Sequence, residues 1–268
     1  MWEYFEPEEQ RWYRWKLDGA TAWLRKNGEE WRLAVSPVSF KQIKPGASGP
    51  EPAKAPEHLP ISFAVGPGRK VALRPRLGDM PYLVSARNDV RILPGAEAWF
   101  TIALPPLVRF EIEGGQILFE SSPFTTGLTW FGDKTAGSLC LSLPLELDPE
   151  CHNENEGRSG DDSLAGSSRY LSCRSLVQCR MVVRNLSKEA IDLKRMAIYT
   201  DLINLYLKDD MVVSDTVVVV GTADGSLQTS IDDKAYRGLP KVRSAPHPGL
   251  SEVLVRRGVS FLKAIAGL

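Results

Sequence analysis

Apolar and polar positions alternate with a period of two along most of this chain, the spacing that sends successive side chains to opposite faces of a strand. Ala20-Thr21-Ala22-Trp23-Leu24 and Trp31-Arg32-Leu33-Ala34-Val35 flank Asn27-Gly28. That dipeptide tolerates the positive φ angles of a tight two-residue turn, so the segment predicts a hairpin. Short strands are predicted at residues 70–74 and 82–85, broken by Pro75, Gly78-Asp79 and Pro81. Phe100, Ile102 and Leu104 then alternate with Trp99, Thr101 and Ala103, giving a strand apolar on both faces. Beyond Pro105-Pro106, Val108, Phe110 and Ile112 alternate with Leu107, Arg109 and Glu111, and Gly114-Gly115 turns the chain into Ile117-Leu118-Phe119.

The later part repeats the theme. Val177, Cys179, Met181 and Val183 alternate with Gln178, Arg180, Val182 and Arg184, a turn falls at residues 185–188, and Ile191 and Leu193 resume the apolar face. Residues 202–207 and 212–220 continue as strands around Lys208-Asp209-Asp210. The only helical pattern is at the end, where Leu254, Phe261, Leu262, Ile265 and Leu268 cluster on one side, with Arg256, Arg257 and Lys263 interspersed.

The predicted class is mainly β, as two β-sandwich-like, immunoglobulin-like halves with a short C-terminal helix. Residues 1–44 form a hairpin packed on the first sandwich, and 61–147 form that sandwich. Residues 45–60 hold Pro45, Pro50, Pro52, Pro56 and Pro60; the missing backbone donors predict a linker with no regular element. Residues 148–169 are polar and aperiodic, a mobile loop; 170–250 form the second half, and 251–268 the amphipathic helix.

Lys plus Arg and Asp plus Glu are 33 each, so no global field draws the chain to nucleic acid, and none is expected as a partner. The start Met1-Trp2-Glu3-Tyr4-Phe5-Glu6 is acidic and aromatic where an export signal is basic and then apolar. No apolar run approaches the roughly 20 residues that cross a bilayer. The expected location is cytoplasmic, with the four cysteines as free thiols and Asn185-Leu186-Ser187 as a turn rather than a glycosylation acceptor.

Candidate chemistry is sparse. Gly127 to Thr135 invites comparison with a phosphate-binding loop, but Asp133 intrudes between Gly132 and Lys134, and strand-like residues follow where a helix should begin. The same turn offers Thr129, Trp130 and Phe131 beside Asp133 and Lys134 as a binding site, against packing of both rings in the core. Cys140, Cys151, His152, Cys173 and Cys179 lack the paired spacing of a zinc site, so neither metal nor cofactor is expected. His58, His152 and His247 lie in loops without a nucleophile motif, and Asp161-Asp162, Asp209-Asp210 and Asp232-Asp233 read as turns. Arg256, Arg257 and Phe261 are candidates for contact with a partner or a membrane surface.

Several segments resemble an uncharacterised prokaryotic family, domain of unknown function 432. They are Val71-Ala72-Leu73-Arg74-Pro75, Ile92-Leu93-Pro94-Gly95-Ala96-Glu97 and Leu104-Pro105-Pro106-Leu107-Val108, followed by Thr129-Trp130-Phe131-Gly132 and Gly137-Ser138-Leu139-Cys140. The likeness continues through Val183-Arg184-Asn185-Leu186-Ser187, Leu193-Lys194-Arg195-Met196 and Leu205-Tyr206, covering roughly residues 60–220. It implies a β-rich fold, carries over no catalytic residue, and implies an accessory role beside small mechanosensitive channels. The sequence thus points to a non-catalytic binding or scaffold protein with a protein partner such as that channel. The competing reading is a carbohydrate-binding module or carbohydrate-active enzyme, motivated by seven tryptophans in a β-rich chain.

Overall fold

The computed structural model describes residues 1–66, 70–125, 129–131, 140–149, 170–224 and 227–245, with 86–89, 129–131 and 140–149 as backbone alone. The chain is mainly β, and no described helix reaches seven residues. The predicted C-terminal helix, with Arg256, Arg257 and Phe261, lies outside the described residues.

The strands are β1 (Trp12–Leu17), β2 (Ala20–Asn27), β3 (Glu30–Ser36), β4 (Val38–Ser39), β5 (Ser48–Ala53), β6 (Ile61–Ala64) and β7 (Val71–Arg76). Then come β8 (Tyr82–Ile92), β9 (Glu97–Leu104), β10 (Leu107–Ile112), β11 (Gln116–Ser121), β12 (Phe124–Thr125), β13 (Thr129–Phe131) and β14 (Cys140–Pro149). The last are β15 (Val177–Asn185), β16 (Ile191–Ile198), β17 (Leu205–Lys208), β18 (Met211–Ser214), β19 (Thr216–Gly221), β20 (Leu227–Asp232) and β21 (Lys241–Arg243).

An antiparallel sheet in the order β5-β1-β2-β3-β6 packs on a three-stranded sheet, β11-β10-β7. Trp15 meets Phe110 edge-on at 5.3 Å between ring centroids, and Phe63 meets Phe119 at 6.1 Å. The predicted hairpin is there, with Asn27 paired to Glu30 across a two-residue turn, Gly28-Glu29. Gly28 alone of the two has positive φ, +59°, so Asn27 closes the strand instead of occupying the turn.

The proline-rich segment is a correction. Ser48–Ala53 is a strand, β5, paired antiparallel to β1. It lies at the sheet edge, where a missing N–H faces outward and costs no ladder bond, so Pro50 and Pro52 are tolerated. Gly49 allows the approach: a Cβ there would stand 2.6 Å from the Arg14 carbonyl oxygen.

Sheet membership cuts across the sequence order. β8 and β9 pair with later strands rather than with β7 and β10. β16 runs antiparallel to β8, and β15 to β9. β14 pairs with β8, β9 and β13, joining the strands into one eleven-stranded assembly. The run 212–220, read as one strand, is two, divided at the fully buried Asp215. Asp215 Oδ2 accepts from the backbone and side-chain amides of Asn204 at 2.8 and 2.7 Å. Asp209 and Asp210 both have positive φ, +49° and +64°, and form the β17–β18 turn as read from the sequence.

Two buried polar side chains fix the long-range geometry. Asp18, at the β1–β2 turn, accepts from the backbone N–H of Gly46 and Ser175, both at 2.8 Å, and from the Ser175 hydroxyl. This ties the first sheet to the lead-in of β15, 157 residues along. Asn185 donates to the carbonyls of Ile92 and Glu189 at 2.8 Å and accepts from Ser187. Its amide is spent inside the corner, which is why Asn185-Leu186-Ser187 behaves as a turn.

Candidate functional site

Strand alternation gives the five-stranded sheet two unlike faces. Tyr13, Trp15 and Leu17 of β1, Ala22 and Leu24 of β2, and Trp31 and Leu33 of β3 are buried. Their neighbours of opposite parity, Trp12, Arg14, Lys16, Thr21, Trp23, Arg25 and Arg32, are only half-buried. In register, Trp12 stands opposite Arg25 and Arg14 opposite Trp23, so rings and guanidinium groups alternate across the outer face.

The chain after β5 crosses this face and makes a cleft of about 770 Å³, lined by Trp23, Arg11, Arg14 and Ser36 on one side and residues 52–58 on the other. Such a volume lies within the range of small-molecule sites. The His58 ring sits 5.5 Å from that of Trp23 at an interplanar angle of 79°, an edge-to-face contact that ties the crossing segment to the indole. Prolines 52 and 56 stiffen that wall, because their φ angles are fixed.

Ion pairs position the cations. Arg14 donates from Nε to Glu51 Oε1 at 2.7 Å, and Lys16 Nζ stands 3.2 Å from the same oxygen. The hydrogen bond from Arg14, then that from Lys16, holds the Glu51 carboxyl below its ordinary range. Arg11 pairs with Glu8 at 2.6 Å. Beside the cleft, Arg25 keeps its Nε buried without a hydrogen-bond partner, opposite Arg32 in the register. Glu57 is the only carboxylate and His58 the only imidazole in the lining. A pair of carboxylates flanking a bond, as hydrolysis of a glycoside requires, is missing from this set.

The sequence candidates for binding are not among the described residues that line this cleft. Thr129, Trp130 and Phe131 form β13, antiparallel to β14; their side chains, and all of Asp133 and Lys134, lie outside the described residues. His152 and His247 do so too. His58, read as a loop histidine, is exposed and belongs to the cleft. Cys179 is fully buried, and burial pushes its thiol up to about 11, as befits a small core residue. Among the described residues no group of three His, Cys, Asp or Glu is placed to hold a metal ion, and no helix is long and apolar enough to cross a membrane.

Sequence reasoning passed over the cleft, although one signal was present. Trp12 and Trp23 fall on the same parity as Arg14, Lys16, Arg25 and Arg32. A tryptophan in phase with charged residues is a ring directed away from the core.

No curated protein and no solved structure matches the chain. The family model described as "Protein of unknown function (DUF432)" matches residues 1–262, and the chain belongs to that family.

Proposed function

We propose that the protein is a non-catalytic binding protein whose ligand occupies the cleft between Trp23 and the segment that crosses it. The carrying observation is the placement of Trp23. Its ring lies on the charged face of the sheet, lines a cleft of ligand size and is flanked by Arg14. The family match begins at residue 1 and so includes this sheet. The lone lining carboxylate favours binding over hydrolysis.

The test is a thermal-shift screen of the wild type and Trp23→Ala against a broad library of small ligands. At least one compound should raise the melting temperature of the wild type and leave the variant unmoved. A library that stabilises neither protein, or both equally, overturns the assignment of the cleft.

A carbohydrate-binding module is the second reading, favoured by an indole offered to a cleft beside hydrogen-bonding side chains. An accessory role at a mechanosensitive channel, which the family resemblance implies, would make a channel segment the competing occupant. Co-purification with the channel that survives Trp23→Ala would move that contact away from the cleft.

A further inference from the structure

We infer that the cleft takes an acidic saccharide, a short chain of pyranose rings bearing carboxylates. The inference rests on the proposed ligand cleft and names the class of its occupant.

Three observations converge. The first is the supply of donors. The lining holds Arg11, Arg14 and Lys54 against Glu57, while Glu8 and Glu51 pair with Arg11 and Arg14, so what the cleft offers an acid is unspent donors rather than a large excess of charge. Arg14 spends only Nε on Glu51 and Arg11 only Nη1 on Glu8. Both Nη groups of Arg14 remain for a carboxylate, in the forked geometry a guanidinium presents. Lys54 is exposed and has no ion pair among the described residues. An acidic group entering here meets donors already held in place, and the fixed ion pairs reduce the ordering cost of binding.

The second is the arrangement of rings. His58 stands at 79° to Trp23. A flat base held between two aromatic planes needs a second ring parallel to the first, and the imidazole lies almost perpendicular. A pyranose stacks its C–H face on a single indole and needs no second plane. Ser36 and the rim of His58 and Glu57 then offer polar atoms to its hydroxyls.

The third is extent. At about 770 Å³ the cleft exceeds one sugar ring. Around it the outer face continues through Trp12, Lys16, Arg25 and Arg32, with Lys16 paired to Glu51 and Arg32 to Glu30, so an aromatic ring and further hydrogen-bond donors extend past the cleft itself.

The experiment measures binding of trigalacturonate to the full chain by calorimetry. Its carboxyl-reduced analogue and adenosine monophosphate serve as comparison probes. Trigalacturonate should bind, and bind more weakly as sodium chloride is raised. Trp23→Ala should weaken it at least about tenfold. Lys54→Ala, a change at an exposed side chain that leaves the fold intact, should weaken it severalfold. The reduced analogue should bind at least about tenfold more weakly than the acid, because the charge-assisted contacts are lost.

Equal binding of acid and reduced analogue overturns the acidic class, as does tighter binding of the nucleotide. Absence of trigalacturonate binding also overturns it. The thermal-shift screen then tells whether the cleft assignment survives: a library compound that acts through Trp23 preserves the cleft and removes only this ligand class.

Discussion

The two faces of the N-terminal sheet each carry two tryptophans from the central strands, yet the four rings do different work. Trp15 and Trp31 are fully buried, and Trp15 meets Phe110 across the sandwich. Trp12 and Trp23 are half-buried among arginines, and Trp23 lines a cleft. Two residues of one type, separated by a single step of strand parity, thus serve cohesion on one side and, in the function we propose, recognition on the other. A count of tryptophans says little about function until each ring is assigned to a face.

The sharpest way to break this contrast is to delete a ring from each face. Trp15→Ala should cost about 3–5 kcal/mol in urea unfolding, the range for large aromatic truncations in a packed core. A cost near zero would mean that the inner face is not a core.

The next effect concerns the edge that supports the cleft. In Gly49→Ala a methyl group would face backbone atoms of Arg14 and Trp15 at 2.6 and 2.9 Å, with φ at +119°. Neither backbone atom can yield without displacing β1, so we expect a loss of about 2 kcal/mol or more, together with faster hydrogen exchange in β5. Unchanged exchange there would contradict the β1–β5 pairing. Trp23→Ala, by contrast, should change stability by no more than about 1 kcal/mol, since a partly exposed ring contributes little cohesion. A loss as large as that of Trp15→Ala would assign Trp23 to the core and remove the basis for the cleft.

The smallest effect is in pH dependence. The carboxyl of Glu51 is lowered by Arg14 and then Lys16. A group with a depressed folded pKa contributes stability above its unfolded value, and that contribution is lost as pH falls through the folded value. Melting temperature should therefore decline below the ordinary carboxylate value of about 4.5. Glu51→Gln should show a slightly flatter decline than the wild type. Superimposable acid limbs would show that the ion pair adds nothing measurable.

Much of the local structure was legible. The first hairpin, Asp209-Asp210 and the Asn185 corner are set by turn chemistry that operates over a few residues, although the hairpin turn falls at Gly28-Glu29, one residue later than Asn27-Gly28 implies, and the alternation around Phe100 and Phe110 marks real strands. Pairing across long distances was not. Nothing in period two tells β9 to choose β15, or Asp18 to seek Ser175, because those choices are made by whole-sheet packing. The strand at Ser48–Ala53 was hidden because proline is penalised inside a sheet and tolerated at its edge, and sequence does not announce which edge is free. The cleft was half legible: Trp23 and Arg14 stood in phase, but the chain segment that completes the wall is irregular and lacks any periodic signal.

The indole N–H resonances of the seven tryptophans give the most direct reading of the central claim, in a nitrogen-labelled sample titrated with trigalacturonate. Trp23, and Trp12 more weakly, should shift with added saccharide while Trp2, Trp15 and Trp31 stay fixed. Shifts confined to the buried indoles, or to Trp99 and Trp130, would contradict it.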